Sequence, residues 1–316
     1  MMRKLLGTTG LSVSPLMFGG NVFGWTIDEP TSFALLDSWV DAGFNFIDTA
    51  DVYSVWASGH KGGESETIIG KWMKLRGNRE RVIIATKAGW EMAPDKKGLS
   101  KSHIIAACEE SLQRLQTDHI DLYQSHLDDP NAPQLETMEA FAELVAAGKV
   151  RVIGASNFKA DRLASALKIS RDNGLPAYAT LQPRYNLYDR FEFEGELADL
   201  CVRERIGVIP YAALAGGFLS GKYRTEADRA QSLRGARMDA RMNERGFRIL
   251  DALAKVAADH NATSAQIAVA WVMAQPAVTS PIVSATNLAQ LEQLVAATQI
   301  QLGTESVRIL DTASRL

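Results

Sequence analysis

Cysteine is almost missing from this chain, with two residues in 316, Cys108 and Cys201. Two isolated thiols set among ordinary helix formers make neither a disulfide framework nor a metal cluster, and both read as buried and inert. Histidine is scarce too, at five residues, which leaves little for a site of clustered imidazole ligands. Long apolar runs are absent: the longest, Ile267 to Ala274, is far short of the ~20 residues that span a bilayer. Gly7, Thr8, Thr9 and Gly10 interrupt any apolar core that a signal peptide would need. The net charge of -3 and the scatter of basic residues provide no stripe for a polyanion. The expectation is a cytoplasmic protein with neither nucleic acid nor membrane as partner. Its oligomeric state leaves no mark in the sequence.

What is present is an ordinary globular composition, 46% hydrophobic and 22% charged, organised as a repeat. Short apolar runs stand at 15–18, 44–47, 82–86, 120–124, 150–154, 179–182, 208–211 and 278–283. Several are nearly continuous in Val, Ile and Leu, as parallel strands covered on both faces require. Helical stretches lie between them, at 32–42, 65–76, 102–115, 134–147, 161–171, 194–205, 241–258, 264–274 and 288–297. Gly43, Gly77, Gly148, Gly174 and Gly207 each follow such a stretch where a left-handed cap would sit. Most strand starts recur at about 30 residues, the length of a βα unit. Eight units predict an α/β fold of the (β/α)8 TIM-barrel class, a single domain over residues 1–316. A doubly wound sheet would announce a dinucleotide with GxGxxG after the first strand. Residues 18–24 read FGGNVFG, which lacks that spacing. Residues 3–14 predict a β-hairpin able to cap the barrel bottom. The segment 212–240, rich in glycine and arginine, is too long for a plain connection.

Barrel active sites lie at the C-terminal ends of the strands, so the polar residues after each run are the candidates. Asp48 and Tyr53 follow the second run, Lys87 the third and His126 the fourth. Singly each has a bland reading: a turn cap, a packing aromatic, a solvated ammonium, a satisfied imidazole. Together an acid, a phenol, an ammonium and an imidazole on one rim suit carbonyl reduction. A phenol titrates near pH ~10 and needs a cation to stabilise its anion. Lys87 would supply that cation and Asp48 would hold it. His126 would orient the carbonyl oxygen. The hydride must come from a cofactor, because no side chain provides one.

The motifs FIDTADVY at 46–53 and GESE at 63–66, with Thr86-Lys87, Ser125-His126, GASNF at 154–158 and GFLSGKY at 217–223, closely resemble the aldo-keto reductase family. The resemblance covers nearly the whole chain. It implies a catalytic tetrad of Asp48, Tyr53, Lys87 and His126, and an extended nicotinamide cofactor across the barrel mouth. Ser156, Asn157 and Gln182 would bind the carboxamide, and Tyr211 would stack on the nicotinamide. Gly20, Asn21 and Asp48 would lie at the same end. The backbone of Leu214, Gly217, Leu219 and Gly221 would line the pyrophosphate, with Lys222 adding charge. Ser284, Thr286 and Gln290 would serve the adenosine end. The stretch 284–294 holds no cation of the kind that reads a 2′-phosphate in relatives, but Ser284, Thr286 and Gln290 could still bind the phosphate or ribose with help from Lys222 or an arginine of 224–241, so NADP is expected first, with NAD the alternative. The arginines at 224, 229, 234, 237 and 241 read first as helix-surface charge, with one of them a candidate to reach the cofactor.

Trp25, Tyr53, Trp56, Trp90 and Phe218 are candidates for the substrate wall; aromatics of this kind are also common packing anchors. Two rival readings compete. Potassium-channel β subunits share this barrel and serve mainly as binding partners, a reading that turnover of an aldehyde would exclude. A metal-dependent hydrolase or aldolase needs clustered ligands at strand ends, where His126 alone of the histidines falls; no metal is expected.

Overall fold

Strand and helix alternate along the chain as the apolar runs predict. The computed structural model describes residues 3–231 and 238–315. An antiparallel hairpin, β1 (Lys4–Leu5) and β2 (Ser12–Val13), comes first. Eight parallel strands follow: β3 (Met17–Gly19), β4 (Phe46–Asp48), β5 (Ile83–Ala88), β6 (Ile120–Ser125), β7 (Val150–Ser156), β8 (Thr180–Gln182), β9 (Gly207–Val208) and β10 (Ile282–Val283). They hydrogen-bond in sequence order, with β10 beside β3. The Thr279 N–H donates to the Val208 carbonyl and the Ile282 N–H to the Pro210 carbonyl, each at 2.8 Å. Those bonds join β9 to the approach of β10 and close the ring into a (β/α)8 barrel.

Around it stand α1 (Glu29–Asp41), α2 (Glu64–Arg76), α3 (Lys101–Leu115), α4 (Gln134–Ala146), α5 (Ala160–Asn173), α6 (Glu196–Arg203), α7 (Glu244–Asp259), α8 (Ser264–Met273), α9 (Leu288–Ala297) and α10 (Thr304–Ser314). Side-chain caps set several starts. Asp28 accepts from the Thr31 N–H at 2.9 Å, and Thr263 and Gln266 form a reciprocal capping box on α8. Gly77 and Gly174 take the left-handed C-cap conformation expected of them. Gly207 does not: Arg205 holds the positive φ, 54°, and Gly207 opens β9. Its missing Cβ has another use, since one there would sit 2.7 Å from the Leu6 side chain.

Strand periodicity decides what faces the barrel axis. Met17, Phe46, Ala85, Leu122, Ile209 and Ile282 form one buried cluster with Leu6 and Val13 of the hairpin. Their neighbours Phe18, Ile47, Ile84, Tyr123, Leu181, Val208 and Val283 belong to the larger core under the helices. The hairpin thus plugs the barrel bottom. Gly7, at φ +55°, lets its turn reach the barrel backbone, where a Cβ would stand 2.6 Å from the Gly207 nitrogen. Two residues further along the same inward rows come Asp48, Lys87, Gln124, Gln182, Tyr211 and Ser284. The interior turns from apolar to polar within one step.

Gly154, on β7, is the tight point of that polar layer. A Cβ there would lie 2.0 Å from the Thr180 hydroxyl and 3.1 Å from the Gln124 side chain. Gly154→Ala is expected to destabilise the fold by about 1–3 kcal/mol through overpacking. Gly303→Ala, whose new Cβ meets nothing within 4 Å, is the matched control, and thermal unfolding compares the two.

Three elements differ from the sequence expectation. The apolar run 278–283 yields only Ile282–Val283 as strand, because Pro281 has no N–H for a ladder. The segment 212–240 contains 3-10 turns at Ala215–Ser220 and Glu226–Gln231, with another at Asp239–Arg241. The C-terminal helix α10 was not expected at all. It packs on α7 and is fastened by Arg248 Nε to the Ala313 carbonyl at 3.0 Å and by Trp271 Nε1 to Asp311 at 3.0 Å.

Candidate active site

The inward rows bring three of the four candidate side chains together through strand geometry alone. Asp48 ends β4, Lys87 lies in β5 and His126 follows β6 directly. Tyr53 arrives by the loop after β4. Lys87 is fully buried and its Nζ makes three short contacts: Asp48 Oδ1 at 2.7 Å, the Thr49 carbonyl at 2.6 Å and the Tyr53 hydroxyl at 3.2 Å. Three acceptors saturate an ammonium. The Tyr53 hydroxyl donates in turn to Asp48 Oδ2 at 3.2 Å, and the His126 ring centre lies 6.0 Å from that of Tyr53.

Burial lowers the Lys87 pKa from its ordinary 10.5, opposed first by the Asp48 carboxylate. The phenol behaves differently from the sequence expectation of an acidified tyrosine. Although its ring edge reaches solvent, its hydroxyl is turned inward. Burial and then the Asp48 charge push Tyr53 well above 10.0. At rest it is therefore a protonated phenol. His126 is pushed well below 6.5, first by burial and then by Lys87. Its imidazole is neutral near pH 7, with Nδ1 buried and unbonded among the described residues.

A second layer holds Lys87 in place. Thr86 donates to Glu66 at 2.5 Å, and Arg114 Nε reaches the other Glu66 oxygen at 2.6 Å. This ties β5 to α2 and α3. Glu66 stands in the quoted motif, but its partner Arg114 carried no sequence signal beyond an ordinary helix arginine. Asp51 lies behind the same wall, its N–H donating to the Lys87 carbonyl at 3.1 Å. Burial and then Glu66 raise its carboxyl pKa well above 3.8.

The expected cofactor residues ring this cluster. Ser156 Oγ donates to the Gln182 carbonyl at 2.9 Å, and Asn157 Nδ2 donates to the His126 carbonyl at 2.9 Å. The Tyr211 hydroxyl donates to Asn157 Oδ1 at 2.8 Å. Gln182 Nε2 donates to Asp48 Oδ1 at 2.9 Å, a link to the acid that sequence spacing did not show. Gly20 lies under Asp48, where a Cβ would meet its carbonyl at 2.8 Å. Asn21 Oδ1 accepts from Ser284 Oγ at 2.8 Å.

The remaining candidates divide. Leu214 precedes the 3-10 segment containing Gly217 and Leu219, and Gly221 caps it. Leu219's side chain is in the core and its N–H already donates to the Leu214 carbonyl at 3.2 Å. Gly217 has φ 104°, and the nearest atoms to a Cβ there belong to Lys222 and Tyr223, Lys222 Nζ being 4.0 Å away. This backbone cradle beside an ammonium has the chemistry of a phosphate site and fits the expected dinucleotide. Thr286 donates through N–H and hydroxyl to Gln290 Oε1 at 2.9 and 3.1 Å, at the start of α9. Arg224 is paired with Asp251 at 2.6 Å and Arg241 with Asp189 at 3.1 Å. Arg234, Arg237 and the side chain of Arg229 lie outside the described residues.

Of the aromatic candidates, Trp25 packs edge-on to Trp56 at 5.4 Å, Tyr53 to Trp56 at 5.8 Å, and Trp90 lies 5.1 Å from His126. Trp56 and Trp90 remain exposed. Phe218 is the exception: it is fully buried, 6.1 Å from the Tyr188 ring, and belongs to the core.

Comparison with known proteins places the fold in a family. The model of the "Aldo/keto reductase family" matches residues 15–315. The "Uncharacterized oxidoreductase YrpG" of Bacillus subtilis is 36% identical over 315 residues, covering 97% of this chain and 94% of that protein. A "Probable voltage-gated potassium channel subunit beta" of Oryza sativa subsp. japonica is 33% identical over 92% of this chain and 89% of its own. The "Norsolorinic acid reductase" of Aspergillus flavus is 31% identical over 98% and 80%. Eight parallel strands, a polar rim and a family match along the barrel lead to one statement: the chain belongs to the aldo/keto reductase family, oxidoreductases that act between carbonyl and alcohol.

Proposed function

We propose that this single-domain cytoplasmic protein is an NADP-dependent carbonyl reductase in which Tyr53 is the general acid. The observation that carries the reading is the Lys87 ammonium, buried and held between Asp48, the Thr49 carbonyl and the Tyr53 hydroxyl. A reduced nicotinamide, when bound at this mouth, would supply hydride for the carbonyl carbon. Ser156, Asn157 and Gln182 would hold its carboxamide, Tyr211 would offer a ring beside it, and the Gly217–Lys222 cradle would take phosphate. Gly20, Asn21, Ser284, Thr286 and Gln290, with the backbone of Leu214, Leu219 and Gly221, complete the cofactor groove.

Proton delivery belongs to the chain's own residues. Neutral His126 donates a hydrogen bond that orients the carbonyl oxygen. As that oxygen gains charge, Tyr53 hands over its proton, and the phenolate left behind faces Lys87. Stabilising the anion only when it forms is what separates catalysis from binding. The phenol's high resting pKa keeps the proton in place until then.

NADPH is expected to bind at least ~10-fold more tightly than NADH, a ~1.4 kcal/mol difference, read by quenching of the tryptophan fluorescence. A panel of aldehydes then tests turnover. With His126 neutral and Tyr53 protonated in the free enzyme, kcat/KM should stay level upward from about pH 7 and fall where Lys87, lowered from 10.5 by burial, loses its charge. Binding without turnover of any carbonyl compound would favour the second reading, a cofactor-holding regulatory or channel partner, which the rice relative's name brings forward.

A further inference from the structure

Arg184 is an arginine at the mouth that none of the roles above employs. It stands two residues past Gln182 on the line of β8, and so continues the inward row that carries the site. Its backbone bridges to Tyr211, and its guanidinium carbon lies 5.8 Å from the Tyr211 ring centre. From Tyr211 the contacts run through Asn157 to the carbonyl of His126, at 2.8 and 2.9 Å. These contacts connect the neighbourhood of the guanidinium to the backbone of His126, whose imidazole is assigned to the carbonyl oxygen.

The side chain is exposed, and among the described residues it takes part in no ion pair within 4.0 Å. Its neighbours differ. Arg190 is bound by Glu194 and Asp311, and Arg241 by Asp189. The two acids that influence Arg184 are Asp189 and Glu192, and Asp189 is already engaged by Arg241 and by Asn186 Nδ2 at 3.0 Å. Contact with the Tyr211 ring orients the planar group while leaving donors available for a bidentate anion.

We propose that Arg184 selects carbonyl substrates carrying an anionic group, a carboxylate or a phosphate, which the guanidinium binds while Tyr53 and His126 engage the carbonyl oxygen. This rests on the carbonyl-reductase reading. Trp56 and Trp90 supply apolar surface at the same mouth for the carbon frame between the two ends.

The test uses matched aldehydes with NADPH: 4-carboxybenzaldehyde against 4-formylbenzamide, and glyceraldehyde 3-phosphate against glyceraldehyde. The protein should prefer the anionic member of at least one pair by about 10–100-fold in kcat/KM, carried mainly by KM and shrinking with salt. Which pair responds tells carboxylate from phosphate. Arg184→Gln should abolish the preference, Arg184→Lys should keep part of it, and the neutral aldehydes should change less than about twofold in either variant. Equal losses on charged and neutral aldehydes, or weaker NADPH binding by fluorescence with unchanged discrimination, would overturn the proposal. Good turnover of neutral aldehydes without any anionic preference removes this inference and leaves the reductase reading standing. No turnover of any carbonyl removes both.

Discussion

Replacing Tyr53 by Phe is expected to cut kcat by ~10²–10⁴, the contribution of a positioned general acid, while NADPH affinity stays within about twofold. The substitution removes one oxygen and leaves the ring in its contacts with Trp56 and His126. Lys87 keeps Asp48 and the Thr49 carbonyl as acceptors, and Asp48 keeps Lys87 and Gln182. Neither buried charge is orphaned, so the melting temperature should move by only a few degrees. Single-turnover hydride transfer and a fluorescence titration separate the two quantities. A variant that reduces aldehydes at the normal rate would end Tyr53's role as proton donor.

Lys87→Met should act on both activity and stability. Here the carboxylate of Asp48, 2% exposed, loses its only cation within ion-pair distance among the described residues. Removing one partner of a buried pair costs about 3–5 kcal/mol. With an unfolding entropy of about 2.1 cal/mol/K per residue over 316 residues, each kcal/mol shifts the midpoint by roughly 1.5 °C, and the melting temperature should fall by about 5–8 °C. Turnover should drop by at least ~10²–10³, the scale on which a site loses one electrostatic stabiliser of developing charge. The double variant Asp48→Asn, Lys87→Met tells the causes apart. It should recover most of the lost stability, because the unpaired charge is gone, and none of the lost activity. Recovery of activity in the double variant would show that Lys87 acts only by neutralising Asp48.

The architecture was legible because a buried parallel strand cannot disguise itself. The run 82–86 reads VIIAT, apolar on both faces, and recurs in β5; 120–124 and 150–154 each hold a single charge, Asp121 and Arg151, and recur as β6 and β7. The nearness of Asp48, Lys87 and His126 was legible because they stand at or near the ends of consecutive strands, whereas Tyr53 reaches them by a loop. What escaped is physically coherent. Helix α10 buries Leu310, Ala313 and Ser314, but its apolar positions are few and its strongest fastenings are arginines reaching backbone carbonyls. The shortening of the last strand turned on one missing N–H, at Pro281. Arg205 taking the left-handed position in place of Gly207 reflects the hairpin's need for that glycine.

Side-chain roles were harder to read than side-chain addresses. Phe218 looks like any mouth aromatic until packing turns it inward. The direction of the Tyr53 shift follows from a balance of burial, Asp48 and Lys87 that only distances decide. Arg114 reads as an ordinary helix arginine, Asp51 as a motif residue with no role of its own, and Arg184 as a loop charge. Residues that support a site through space leave no spacing along the chain.

The bond from Gln182 to Asp48 joins side chains 134 positions apart, and Ser284 reaches Asn21 across 263. The N-terminal portion carries all four candidate groups, yet a polypeptide ending before Gln182 would lack the amide that bonds Asp48. Enzymatic competence should therefore appear late in refolding, after helical ellipticity has recovered, as a chemical clock for closure of the ring.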